Sequence, residues 1–116
     1  MREVAEIAGY HAHVYFDLVQ REAADRLRGA ISERFSVELG RVHEKPIGPH
    51  AKPMYQVAFS RDEFANIVPW LMLNRAGLSI LVHPRTGDDA ADHETNALWL
   101  GESLPIDLEL LRQHAG

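Results

Sequence analysis

Tyr10-His11-Ala12-His13-Val14-Tyr15-Phe16 is the stretch that orients the rest of the chain. Its residues alternate in character, and strand side chains repeat every two residues. Tyr10, Ala12, Val14 and Phe16 therefore share one side, while His11, His13 and Tyr15 share the other. One side calls for a partner layer of apolar residues. The other carries two imidazoles and a phenol, a surface suited to chemistry more than to packing.

Working outward, Asp17 with Gln20 three residues on is a variant capping box. Val19, Ala23, Leu27, Ala30, Ile31 and Phe35 recur at helical spacing and predict an amphipathic helix over residues 18–35. Val37, Leu39 and Val42 suggest a short second strand. Pro46, Gly48, Pro49 and Pro53 mark a loop that the fixed φ of proline stiffens. Met54 to Phe59 is a third, alternating strand. Ser60-Arg61-Asp62-Glu63 reads as a capping box before the stripe Phe64, Ile67, Val68, Leu71 and Met72. Pro69 lies inside that stripe and is expected to kink or shorten the helix, and Gly77 is the expected stop. Leu78, Ile80 and Val82 alternate with Ser79, Leu81 and His83 in a fourth strand. A polar loop is expected from Pro84 to His93, then a short fifth strand over residues 97–100 and a helical turn from Asp107 to Gln113.

The order β-α-β-β-α-β predicts an α+β fold, a ferredoxin-like sandwich with one antiparallel sheet, two helices on one face and a short C-terminal extension. Residues 1–116 are read as a single domain. The strand order expected for that architecture puts the first and third strands parallel in the middle. It also brings His11, His13, His43, His50 and His83 to one edge of the sheet. If the helices cover the Tyr10, Val14 and Phe16 side, then His11, His13 and His83 point to the open face. Three neutral imidazoles with open positions beside them suit iron, zinc or copper. Glu44, Asp88 or Asp89 could supply a carboxylate in place of one imidazole. The chain has no cysteine, so a thiolate site is excluded.

Other features have plainer readings. Asp88-Asp89 after Gly87 is first of all turn chemistry. Trp70 and Trp99 are expected in the core or at a dimer contact, and His114 in a C-terminal tail. His93 reads equally as a loop residue or as one reaching back over the site. No glycine fingerprint follows a strand, and no serine or cysteine nucleophile arrangement is visible. The net charge of -5, spread along the sequence, argues against a nucleic-acid partner. No apolar leader or run of about 18 apolar residues occurs, so a cytoplasmic protein without a membrane partner is expected. A chain this small is expected to form a homodimer.

Several segments resemble the DOPA 4,5-dioxygenase family. They are His11-Ala12-His13-Val14-Tyr15-Phe16, the run from Gly40 through His43 to His50, Met54-Tyr55-Gln56-Val57, Leu81-Val82-His83-Pro84, Thr86-Gly87-Asp88-Asp89 and Asp92-His93. The resemblance covers roughly residues 8–111, with Ala51 standing where the family pattern has proline after His50. It implies extradiol cleavage of a catechol by dioxygen at Fe(II), with zinc or another divalent metal as a substitute in a purified sample. It also implies an αβ sandwich and frequent dimers. It points to His11, His13, His43, His50, His83 and His93 as the histidines that matter. With the strand facing above, His11, His13 and His83 are the expected ligands, with His50 as acid/base and His43 and His93 behind it. Tyr15 is expected to line the pocket, and Arg41 and Lys45 to meet a substrate carboxylate. A non-catalytic dimeric module that binds metal or a small aromatic is the rival reading, and a zinc hydrolase is a third.

Overall fold

The computed structural model describes residues 1–113, and His114 lies outside them. Five strands form: β1 (Tyr10–Tyr15), β2 (Glu38–Leu39), β3 (Met54–Phe59), β4 (Ser79–Pro84) and β5 (Leu98–Leu100). They make one sheet in the order β2-β3-β1-β4-β5, with every neighbouring pair antiparallel. The fold is the α+β sandwich of ferredoxin-like type.

One expectation about the sheet is corrected. β1 and β3 are antiparallel, not parallel: the register runs from Tyr10↔Phe59 to Tyr15↔Met54. β3 is antiparallel to β2 on one side and β1 on the other, so β1 and β2 run alike with β3 reversed between them. Consequently the start of β1 meets the ends of β3 and β4, whereas the loop before β3 arrives at the far end of β1. The histidines cannot gather along one edge and gather over the open face instead.

The covered face is apolar throughout. Ala12, Val14 and Phe16 from the β1 region, Tyr55, Val57 and Phe59 from β3, and Ile80 and Val82 from β4 are buried there. Two helices close it: α1 (Arg21–Arg34) through Ala24, Leu27 and Ile31, and α2 (Phe64–Asn74) through Ile67, Val68 and Leu71. Burying one such side chain is worth roughly 1.5–3 kcal/mol, so this layer carries most of the fold's stability. Trp70 packs at its margin against Phe35, with ring centroids 5.4 Å apart.

Several local expectations shift by small amounts. Val19 is 94% exposed, because residues 18–20 form a separate 3-10 turn ahead of α1. The Asp17 N–H donates to Gln20 Oε1 at 2.9 Å, so that box forms at the turn. The Ser60 side chain caps nothing; the Glu63 carboxylate instead accepts the Ser36 N–H at 3.0 Å and ties α2 to the β2 approach. α2 runs through Pro69 to Asn74, and Met72 is 53% exposed rather than in the stripe. The chain leaves α2 through Ala76 and Gly77, both at positive φ (55° and 78°). The expected polar loop after β4 contains a short helix, α3 (Asp89–His93), with the Asp88 carboxylate accepting the Ala91 N–H at 3.1 Å. A final helix, α4 (Leu108–Gln113), follows β5. Among the described residues no helix is long and apolar enough to cross a membrane.

Candidate active site

On the open face, alternation sets the pattern that the helices leave free. His11 stands directly opposite His83 across the β1–β4 ladder, and His13 sits between Gln56 and Leu81. Directly opposed residues bring their Cβ atoms to roughly 4.5–5.5 Å, and diagonal ones remain in reach of long side chains. The imidazole of His13 leans along the strand to place its Nε2 3.0 Å from Nε2 of His83. The His11 ring stands edge-on to His83, centroids 5.2 Å apart.

Two further imidazoles enter from outside the sheet. His50 comes from the proline-rich loop, where it bridges to Ile106, and its ring lies 4.4 Å from that of His13. His93 comes from the end of α3 and lies 4.0 Å from the ring of His83. α3 is held there by Asp92, whose carboxylate accepts the Thr86 N–H at 2.8 Å, the Thr86 hydroxyl at 2.7 Å and the Asn96 amide at 3.2 Å. His13, His50, His83, His93 and Asp92 are all buried.

Hydrogen bonds to carbonyls fix which nitrogen carries the proton in two of these rings. A carbonyl oxygen can only accept, so His83 donates from Nδ1 to the Pro84 carbonyl at 2.9 Å, and its Nε2 lone pair accepts the Nε2–H of His13 at 3.0 Å. His93 likewise donates from Nδ1 to the Asp89 carbonyl at 2.7 Å. His50 differs: its Nδ1 lies 2.7 Å from the Tyr15 hydroxyl. Burial pushes the Tyr15 phenol above its usual range, so it remains an O–H donor. If it donates to Nδ1, the His50 proton sits on Nε2. His83 and His93 thus carry their lone pairs at Nε2, and with Tyr15 as donor His50 carries an N–H there.

Burial also keeps these rings neutral. It pushes His11 down to about 4, His50 to about 4 and His83 to about 3, with neighbouring positive charge adding to the effect. His13 is held well below its ordinary value, first by burial and then by His50 and His83. Neutral imidazole is the metal-binding form.

Among the described residues, two groups have their ligand atoms within 4.8 Å of one another: His11, His13 and His83, and His13, His50 and His93. Nδ1 of His13 is buried without a hydrogen-bond partner. The protein alone therefore leaves the central ring half satisfied, which is costly for a buried polar atom. With His83 Nε2 aimed at His13 and no sulfur donor present, the residues fit a borderline cation such as iron or zinc. The histidines open into a cavity of about 590 Å³ also lined by Gln56, Arg85, Thr86 and Asp89.

The sequence profile of the Dopa 4,5-dioxygenase family matches residues 10–110. The chain belongs to that family. It is 36% identical to the DOPA 4,5-dioxygenase of Amanita muscaria, covering 90% of this chain and 50% of that one. It is 40% identical to an uncharacterized 21.2 kDa protein of Botryotinia fuckeliana, covering 80% of this chain and 54% of that one. The chain thus spans about half the length of the curated relatives it matches. The crystal structure of a candidate dioxygenase from Nostoc punctiforme superposes with a TM-score of 0.97 at 56% identity, covering 98% of this chain and 99% of that one. The histidine groups on the open face could hold a metal ion.

Within this dioxygenase-family site, the residues singled out from sequence fall into two places. His11, His13, His50, His83 and His93 line the one cavity, and Tyr15 stands behind His50. His43, Arg41 and Lys45 line a separate depression with Glu44, and Glu44 pairs with Arg21 at 3.1 Å. His43 lies there because it bridges to Met54, at the end of β3 away from His11. Asp88 caps α3, and Asp89 lines the cavity. The bond network of Asp92 and the cavity positions of Gln56 and Arg85 went unread in the sequence. Gln56 had a signal: the alternation of β3 puts it on the histidine face. Arg85 and Asp92 had none, since a loop of polar residues gives no period to read.

Proposed function

We propose that the chain is a non-haem Fe(II)-dependent extradiol dioxygenase that cleaves the ring of a catechol such as DOPA or a related aromatic acid. The observation that carries the reading is the set of neutral imidazoles His11, His13 and His83 opening on one cavity, with two further histidines facing them. A ferrous ion held by these three would bind both reactants and lift the spin restriction on their reaction.

The chain's own residues then divide the proton work. The catechol must lose a hydroxyl proton, and the lone pair at Nε2 of His93 is the available base. Cleavage of the O–O bond needs a proton, and the N–H at Nε2 of His50 supplies it. Tyr15 holds His50 in that tautomer. Asp92 bolts α3 to Thr86 and so keeps His93 against His83. The burial that keeps the imidazoles neutral also excludes bulk water from the reacting atoms. A cytoplasmic homodimer belongs to this reading, with the short edge strand β5 and its half-exposed Leu98 as the surface to test by sedimentation.

Anaerobically loaded Fe(II) protein, mixed with catechols in air, should consume oxygen and form a yellow ring-opened product. Iron-replete protein that takes up no oxygen with any catechol would favour the non-catalytic binding module instead.

A further inference from the structure

The wall of the histidine cavity holds one strong cation that the proton chemistry leaves unused. Arg85 is the single lysine or arginine lining that cavity among the described residues. Its main chain is pinned on both sides, the N–H donating to the Gly9 carbonyl at 2.9 Å and its carbonyl accepting the Ala8 N–H at 2.9 Å. Position is therefore fixed by the start of β1, two residues from His11. Its guanidinium, by contrast, has no carboxylate within 4.0 Å and no side-chain hydrogen bond among the described residues.

The acidic groups of the same wall are differently placed. Asp92 spends its carboxylate on Thr86 and Asn96. Glu6 is taken by Arg2 at 3.0 Å and by the Glu3 N–H at 2.8 Å. Asp89 is exposed and lies beyond ion-pair distance of Arg85. The sequence offered Arg41 and Lys45 for a substrate carboxylate, but both line a different depression.

We propose that Arg85 is the specificity-determining residue of this site, binding the carboxylate of an aromatic-acid catechol while the histidines hold the diol end. The inference rests on the extradiol reading for its substrate. A guanidinium presents a planar pair of N–H donors that matches a carboxylate and gains nothing from a neutral ring substituent. Exposure of Arg85 keeps the expected preference modest.

The test uses Fe(II)-loaded protein in two ways. Binding of dihydroxyphenylacetate and of neutral methylcatechol is first measured anaerobically by calorimetry, where no turnover occurs. Turnover of both is then measured in air. Arg85→Gln should weaken binding of the acid and raise its KM about tenfold, leaving methylcatechol unchanged. Arg85→Lys should recover part of the loss. Equal losses on both catechols, or none on either, would overturn the assignment, as would wild type that binds neither. Selective loss of acid binding in Arg85→Gln, with no oxygen uptake by wild type on either compound, would support Arg85 and sink the extradiol reading.

Discussion

The two faces of one sheet are built from the same strands under opposite rules. On the helix-covered face, Val14, Val57, Ile80 and Val82 are buried among apolar neighbours, and the one phenol among them, Tyr55, donates its hydroxyl to the Ala24 carbonyl at 2.9 Å. On the other, His13 and His83 are nearly as deeply buried as those aliphatic side chains, yet His13 keeps an unpartnered nitrogen and four rings are held below their ordinary proton affinity. Burial is stabilising on the first face and costly on the second. A fold tolerates the second kind of burial where something outside the bare chain repays it, and a bound cation does so by taking up the lone pairs.

The contrast is broken most sharply by two substitutions three residues apart on β4. His83→Ala should lose bound metal and reduce turnover to background, with little loss of stability in the metal-free protein. Ile80→Ala, on the covered face, should cost about 2–5 kcal/mol of folding stability while keeping metal stoichiometry. Metal analysis and chemical denaturation on the two variants measure both quantities. Full metal content in His83→Ala would remove His83 from the ligand set.

Acid should act first on the histidine face. In the unfolded chain these imidazoles take up protons near pH 6.5. In the folded chain His11 and His50 do so only near pH 4 and His83 near pH 3. Between those values the unfolded state binds more protons, so stability of the metal-free protein must fall as the pH drops from about 6.5 towards 4. Bound metal should flatten that dependence while it remains in place. Denaturation midpoints between pH 7 and pH 4.5, with and without chelator, give the answer; a flat profile for stripped protein would mean that the rings protonate freely in the native state.

How much of this was legible in the sequence follows from the same two faces. Alternation in Tyr10–Phe16, Met54–Phe59 and Leu78–His83 gave the strands, their facing and the His11, His13 and His83 set, because period two reports facing directly. Strand direction was not so encoded. Periodicity is the same read forwards or backwards, and the misjudged direction of β1 against β3 carried His43 to the site and misplaced the meeting point. His93 and Asp92 were uncertain or silent for a different reason: a five-residue helix is too short to show a period, and only the tertiary bonds of Asp92 to Thr86 and Asn96 bring it over the sheet. The roles of His50 and His83 could not be separated by composition at all, since they differ in what sits behind the ring.

Tyr15 is where that last difference is sharpened, with the smallest effect expected. It lies on the histidine face but behind His50, stacked on Trp99 with ring centroids 5.8 Å apart. Tyr15→Phe keeps the stack and removes only the hydroxyl. His50 Nδ1 then loses the donor that holds its proton on Nε2, and the ring is free to turn a lone pair towards the cavity. Turnover number should fall about tenfold, in line with the loss of one hydrogen bond to a general acid, while KM and bound iron stay near wild type. A purely packing role for Tyr15 would show as lost stability with turnover intact. Loss of iron would carry a different message: that His50 binds metal through the second group, with His13 and His93, and that the hydroxyl was orienting a ligand. The hydroxyl is one atom on the seam between the two behaviours of the sheet, and its removal tells whether His50 belongs to the metal or to the proton.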